Sequence, residues 1–298
     1  MIALATTRGV LELGTRPWLM GVINATPDSF SDGGRPRTVP ELAALAARLL
    51  ADGADLIDIG GESGVTNRPT VAPEEEIERV VPLIERVAGE LGALVSVDTY
   101  KPAVARAAIA AGACIVNDPS GLYDPGIADV CAATGAGLVI AHTRAAPKQK
   151  LLDPSLDGRI AADVERFLAE RMAGVSARGV AFEQLLLDPG PDLGKTPFQT
   201  IQVMRSLARL HALERPLLLA VSRKDFVGAL TRRRPRARLA GTLAAVGHGL
   251  DAGAHVLRVH DVAETADFIA VRAALRGELE VRPELRLADE LRWEQKAR

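Results

Sequence analysis

Eight short apolar runs recur along the chain, and several end in a polar group. They are Trp18–Asn24, Asp55–Gly61, Leu94–Thr99, Cys114–Asp118, Gly137–Thr143, Leu185–Gly190, Leu217–Arg223 and His255–Asp261. Their starts are about 34 residues apart, the size of a βα unit. The runs are nearly continuous in Val, Ile and Leu, which suits strands buried on both faces of a parallel sheet. The intervening segments change to helical spacing. In Pro40–Asp52, Leu42, Leu45, Leu49 and Leu50 share a face. In Pro73–Leu91, Ile77, Val80, Val81, Ile84 and Val87 do the same, and Pro73 leads the acidic first turn Glu74–Glu76. Helices are also predicted over Pro102–Ala111, Ile127–Ala133, Ile160–Ala177, Gln199–Leu213, Arg238–Ala252 and Val262–Arg276. Strict β–α alternation with short connections favours one closed (β/α)8 barrel, a TIM barrel, over 1–278. A doubly wound open sheet is the alternative. Residues 1–17, with Leu11-Glu-Leu-Gly-Thr15, predict a small β-hairpin closing the barrel bottom. Residues 279–298 are charged and predict a moderately helical surface tail.

Composition narrows the function class. The 298 residues are 48% hydrophobic and 25% charged, enough for a large core and unlike a disordered chain. Lys and Arg number 36 against 38 Asp and Glu, so a whole-protein basic field for nucleic acid is not expected. No uncharged apolar stretch approaches the roughly 18 residues a membrane span needs. Met1–Arg8 lacks the charged-then-apolar order of a secretory signal. The two cysteines, Cys114 and Cys131, are too few for a disulfide framework and read as packing residues. A cytoplasmic setting is expected.

In a (β/α)8 barrel the active site lies at the carboxyl ends of the strands. The polar residues there are Asn24, Glu62, Asp98, Asn117, His142, Asp188, Ser222-Arg223-Lys224, and Arg258 with His260. Their convergence predicts a binding site for a polar, anionic small molecule. Asp98, Asn117, Asp188 and Lys224 supply carboxylates, an amide and an ammonium that match the edge of a nitrogen heterocycle. Arg258, His260 and Asn24 suit a diphosphate, with Mg²⁺ shared with the Asn24 side-chain oxygen. Neither a dinucleotide fingerprint nor a Walker-type loop is present.

Met20-Gly-Val-Ile-Asn-Ala-Thr-Pro-Asp-Ser-Phe-Ser-Asp-Gly-Gly34 closely resembles the first signature of the dihydropteroate synthases, and Asp58-Ile-Gly-Gly-Glu-Ser63 resembles their second. Ser96-Val-Asp-Thr99, Asn117-Asp118, Leu187-Asp-Pro-Gly190, Ser222-Arg-Lys224 and Arg258-Val-His-Asp261 follow in the family's order. The resemblance implies a transferase of folate biosynthesis that joins p-aminobenzoate to 6-hydroxymethyl-7,8-dihydropterin diphosphate and releases diphosphate. It implies that Asp98, Asn117, Asp188 and Lys224 hold the pterin, with Asp98, Asp188 and Lys224 serving catalysis. Asn24 is then the magnesium contact, and Arg258 and His260 anchor the diphosphate. Phe30 and Ser31 fall in the first mobile loop, Thr66, Arg68 and Pro69 in the second, and Ser222 near the p-aminobenzoate pocket. A homodimer is implied, with the contact expected on helices around the last two strands.

Three places depart from the family pattern. The second loop, Gly61-Glu-Ser-Gly-Val-Thr-Asn-Arg-Pro-Thr70, is longer. Gly190-Pro-Asp-Leu-Gly-Lys195 has Leu193 where the family places a phenylalanine for the p-aminobenzoate ring, and Asp192 adds a negative charge. His142-Thr143 replaces the usual His-Met. All three changes fall near the second-substrate or pterin pocket, while the diphosphate set is intact. These departures motivate a competing reading, a catalytically inactive pterin-binding paralogue with a carrier or regulatory role. A pterin-binding methyltransferase domain is a third. Elsewhere, His211, His248 and His255 read as surface or packing residues, and the run Arg232–Arg238 as a solvated loop and helix start.

Overall fold

The computed structural model describes residues 1–14, 16–26, 37–64, 66, 68–149 and 151–293. Two short strands, β1 (Ile2–Thr6) and β2 (Gly9–Leu13), pair antiparallel as the expected hairpin. Eight parallel strands follow: β3 (Trp18–Asn24), β4 (Leu56–Gly60), β5 (Leu94–Asp98), β6 (Ile115–Asp118), β7 (Gly137–Ala141), β8 (Leu185–Asp188), β9 (Leu218–Leu219) and β10 (Val256–Val259). The sheet order is β8-β7-β6-β5-β4-β3-β10-β9. A parallel bridge between Leu187 and Leu217 joins its two edges and closes the barrel. The open-sheet alternative is therefore excluded.

Helices α1 (Val39–Ala51), α2 (Pro73–Glu85), α3 (Pro102–Ala110), α4 (Gly126–Thr134), α5 (Ile160–Ser176), α6 (Pro197–Arg205), α7 (Asp225–Thr231), α8 (Leu239–Asp251) and α9 (Val262–Leu275) surround it. Their starts follow ordinary capping chemistry. Thr38 N–H donates to Glu41 Oε2 at 2.8 Å ahead of α1. Thr196 Oγ1 accepts from Gln199 N at 3.1 Å ahead of α6. Among the described residues, no helix is long and apolar enough to cross a membrane.

Strand periodicity splits the core in two. Outward residues such as Ile57, Val97, Ile140, Leu187 and Val259 pack against helix residues such as Leu83, Ile84, Val104, Val164 and Val246. Inward residues Met20, Leu56, Ile115, Val139, Leu186 and Val256 fill the barrel bottom, and Leu4, Leu11 and Leu13 of the hairpin plug it. That apolar plug leaves the opposite mouth as the place for polar side chains.

Three expectations need correction. The helix expected over Pro73–Leu91 ends at Glu85 and continues as a wider π turn, Arg86–Glu90. The one expected over Gln199–Leu213 breaks at Ser206 into α6 and a 3₁₀ stretch, Leu207–Leu213. Among its described residues the tail holds only the 3₁₀ turn Asp289–Leu291. Leu285, Leu287 and Leu291 are exposed there, so the tail has no buried face to stabilise a helix.

Candidate active site

The polar layer at the mouth is built from the strand residues immediately above the apolar plug. Arg258 on β10 crosses the barrel. Its Nε donates to Asp58 Oδ2 at 2.6 Å, and its Nη2 donates to Asp98 Oδ2 at 2.7 Å. Asn117 Nδ2 donates to the same Asp58 oxygen at 3.2 Å. Asp58 is fully buried, and its Oδ1 and the nearby buried Ser96 Oγ have no hydrogen-bond partner among the described residues. Burial pushes the Asp98 carboxyl up to about 7, against the pull of Arg258.

Opposite this group lie Asp188 and Lys224. Asp188, at the end of β8, accepts Gly190 N–H at 2.8 Å through Oδ1. Burial raises the Asp188 carboxyl and lowers the Lys224 ammonium, while their mutual attraction opposes both shifts. Lys224 immediately precedes α7, a helix the hydrophobic pattern does not reveal because it is only seven residues long.

The β8–α6 loop is held from within. Lys195 is buried, and its Nζ donates to Gly190 O at 2.8 Å, His142 O at 3.1 Å and Leu193 O at 3.2 Å. Burial lowers its ammonium to about 7. Asp192, the added charge, is committed locally. Its carboxylate accepts from Thr200 Oγ1 at 2.9 Å and from Phe226 N–H of α7 at 3.1 Å.

The rim is tied across loops. Arg223 forms a two-pronged ion pair with Asp261. Ser222 Oγ lies 3.0 Å from His260 Nδ1 and accepts His260 N–H at 3.2 Å. Desolvation at the rim, with Arg258 and Arg223 nearby, pushes His260 down to about 4. On the other side, Glu62 accepts from Lys101 Nζ at 2.6 Å, Tyr100 OH at 2.9 Å and Val71 N–H at 2.9 Å, and pairs with Lys148 at 3.2 Å. One carboxylate thus joins the loops after β4, β5 and β7.

These groups enclose a cavity of about 390 Å³. Asn24, Thr66, Asp98, Asn117, Asp188, Leu193, Lys224, Arg258 and His260 line it, as the sequence predicts. Arg68 and Pro69 are exposed and do not line it. Ser222 sits behind His260 rather than on the cavity wall. Phe30 and Ser31 lie outside the described residues. His142 is not a wall residue: it is buried against Asp163 at 3.2 Å and stacks edge-on with Phe167. Sequence reasoning passed over Asp58, Lys195 and Lys148. Asp58 stands inside a quoted motif, yet attention to strand ends selects Glu62 instead.

The model of the family described as pterin binding enzyme matches residues 20–260. The chain belongs to that family. Among curated relatives of this pterin-binding family member, the dihydropteroate synthase of Escherichia coli is 38% identical over 257 residues, covering 86% of this chain and 91% of that protein. A Mycobacterium bovis relative named inactive dihydropteroate synthase 2 is 41% identical over 282 residues, covering 92% and 86%. Among solved structures, the Xanthomonas albilineans dihydropteroate synthase with 4-aminobenzoic acid is 42% identical with a TM-score of 0.80, covering 88% of this chain and 93% of that one. The pterin-binding barrel expected from the sequence is thus the observed fold.

Proposed function

We propose that this barrel is a dihydropteroate synthase, condensing p-aminobenzoate with 6-hydroxymethyl-7,8-dihydropterin diphosphate and releasing diphosphate. The observation that carries the reading is the convergence of carboxylates, an amide, cations and an imidazole on one cavity. Asp98, Asn117, Asp188 and Lys224 form a heterocycle-reading group, and Arg258 with His260 forms an anion-facing one. Asp188 and Asp98 are acceptors for a guanidine-like N–C–N edge. As the diphosphate leaves the pterin CH₂, positive charge grows on the ring beside these carboxylates. Arg258 and the His260 ring face the departing anion. Fixed charges of both signs, held in a partly desolvated mouth, favour this separation. The p-aminobenzoate amine then attacks the carbon and loses its proton to solvent or the released diphosphate, and the wall around Leu193 and Thr143 receives its ring.

Among the described residues no cluster of three or more His, Cys, Asp or Glu is placed to hold a metal alone. Asn24 supplies a single side-chain oxygen at the cavity mouth. That donor set fits Mg²⁺ arriving with a diphosphate, which fills most of its shell with phosphate oxygens and water. Bound there, the ion would neutralise diphosphate charge.

A second reading, an inactive pterin-binding paralogue, is favoured by the 41% identity to a relative named inactive and by the changed wall at Thr143 and Leu193. Incubation with both substrates and Mg²⁺ separates the two. Dihydropteroate identified by mass supports the synthase. Tight pterin binding without product supports the paralogue.

A further inference from the structure

The contact between Ser222 and His260 reaches beyond adjacency. The His260 backbone N–H donates to Ser222 Oγ at 3.2 Å, so one lone pair of that oxygen is occupied. The same oxygen lies 3.0 Å from His260 Nδ1. Two arrangements are open. In one, the hydroxyl donates its proton to a bare Nδ1. In the other, a protonated Nδ1 donates to the oxygen, and the hydroxyl proton needs another acceptor. Ser222 is buried at 7% exposure, and among the described residues its hydroxyl meets only His260. A buried donor without an acceptor costs about 1–3 kcal/mol. The first arrangement satisfies every group and leaves the ring proton on Nε2. Desolvation, with Arg258, Arg223 and Lys224 adding to it against the pull of Asp261, keeps the ring neutral, so tautomer rather than charge decides what it presents.

We infer that Ser222 is a positioning residue that holds His260 as the Nε2–H tautomer, so that the ring offers an N–H donor to the diphosphate. The anion role rests on the proposed synthase reading; the tautomer does not. Arg223 reinforces the geometry by pairing with Asp261, the residue after His260, which keeps the loops after β9 and β10 together. Ser222 thereby serves the diphosphate side of the site instead of the p-aminobenzoate pocket.

The test begins with the wild-type protein carrying ¹³C,¹⁵N-labelled histidine. The His260 signal is assigned by its loss in His260→Gln among the five histidines of the chain, and its ring Cδ2 shift reports the tautomer. The expected state is Nε2–H, and an Nδ1–H ring overturns the inference whatever the variants do. In Ser222→Ala the ring signal shifts or broadens, and the affinity for inorganic pyrophosphate with Mg²⁺ falls about two- to tenfold, the scale of one neutral hydrogen bond. Ser222→Thr, which keeps the hydroxyl, restores both. The KM for the pterin diphosphate rises in Ser222→Ala while that for p-aminobenzoate holds. An unchanged ring signal and pyrophosphate affinity in Ser222→Ala, or a rise confined to the p-aminobenzoate KM, overturns the inference. A wild-type Nε2–H ring in a protein that does not bind pyrophosphate overturns the anion role while upholding the tautomer assignment, and the synthase reading falls separately, on the absence of dihydropteroate.

Discussion

Arg258 and Asp98 stand 160 positions apart in sequence and face each other across the barrel mouth, with Nη2 donating to Oδ2 at 2.7 Å. The same guanidinium holds the fully buried Asp58 through Nε. The residue proposed to anchor the anion and a carboxylate proposed to face the pterin are therefore one electrostatic unit. Removing the guanidinium leaves Asp58 as an uncompensated buried charge. Arg258→Leu is expected to lower unfolding stability by about 3 kcal/mol. Adding Asp58→Asn should recover part of that loss. Urea denaturation of the two single variants and the double variant checks the coupling, and additive effects would contradict it.

Gly190 sits at φ +64°, and a Cβ there would lie 2.1 Å from His142 O. The contact is with backbone, so it cannot be relieved by turning a side chain. Gly190→Ala is expected to cost at least about 2 kcal/mol of stability by thermal or chemical unfolding. It also displaces the turn that carries Leu193, so the p-aminobenzoate KM should rise more than the pterin KM.

Leu193 lines the cavity where the second substrate is proposed to bind. A phenylalanine there adds a face for ring stacking worth about 0.5–1.5 kcal/mol. Leu193→Phe should lower the p-aminobenzoate KM by up to about tenfold and strengthen sulfonamide inhibition by a similar factor. Steady-state kinetics across a sulfonamide series tests this, and an unchanged inhibition constant would place the ring elsewhere.

Lys195 gives a pH signature. Burial lowers its ammonium from 10.5 to about 7 in the folded chain. Between these values the unfolded chain binds more protons than the folded one, so unfolding free energy rises with pH. Relative to Lys195→Met, wild-type stability should climb from about pH 7 to pH 10, by at most about 1.4 kcal/mol per unit. Parallel stability curves for the two proteins would show that Lys195 is not desolvated.

Legibility in the sequence followed the range of the interactions. Strands buried on both faces announce themselves as unbroken apolar runs, so all eight were readable from Trp18 to Val259. Residues at strand ends, such as Asp188 and Lys224, were readable because the barrel brings those ends together. Asp58 was not, because it lies one alternation below the strand end and its importance comes from Arg258, 200 positions away. Lys195 was hidden because it turns inward to three backbone carbonyls. The placement of Ser222 depended on a contact between the loops after β9 and β10. Helix α7 was too short to show a period, and its start depends on Asp192 accepting Phe226 N–H.

The most direct test of the account is diphosphate release from dihydropterin diphosphate with Mg²⁺, measured with and without p-aminobenzoate and with the product mass determined. The account predicts release coupled to dihydropteroate, reduced at least about a hundredfold by Asp188→Ala, which removes a buried charged acceptor. Tight binding of the pterin diphosphate with no dihydropteroate formed would contradict it and identify a pterin-binding barrel that performs no condensation.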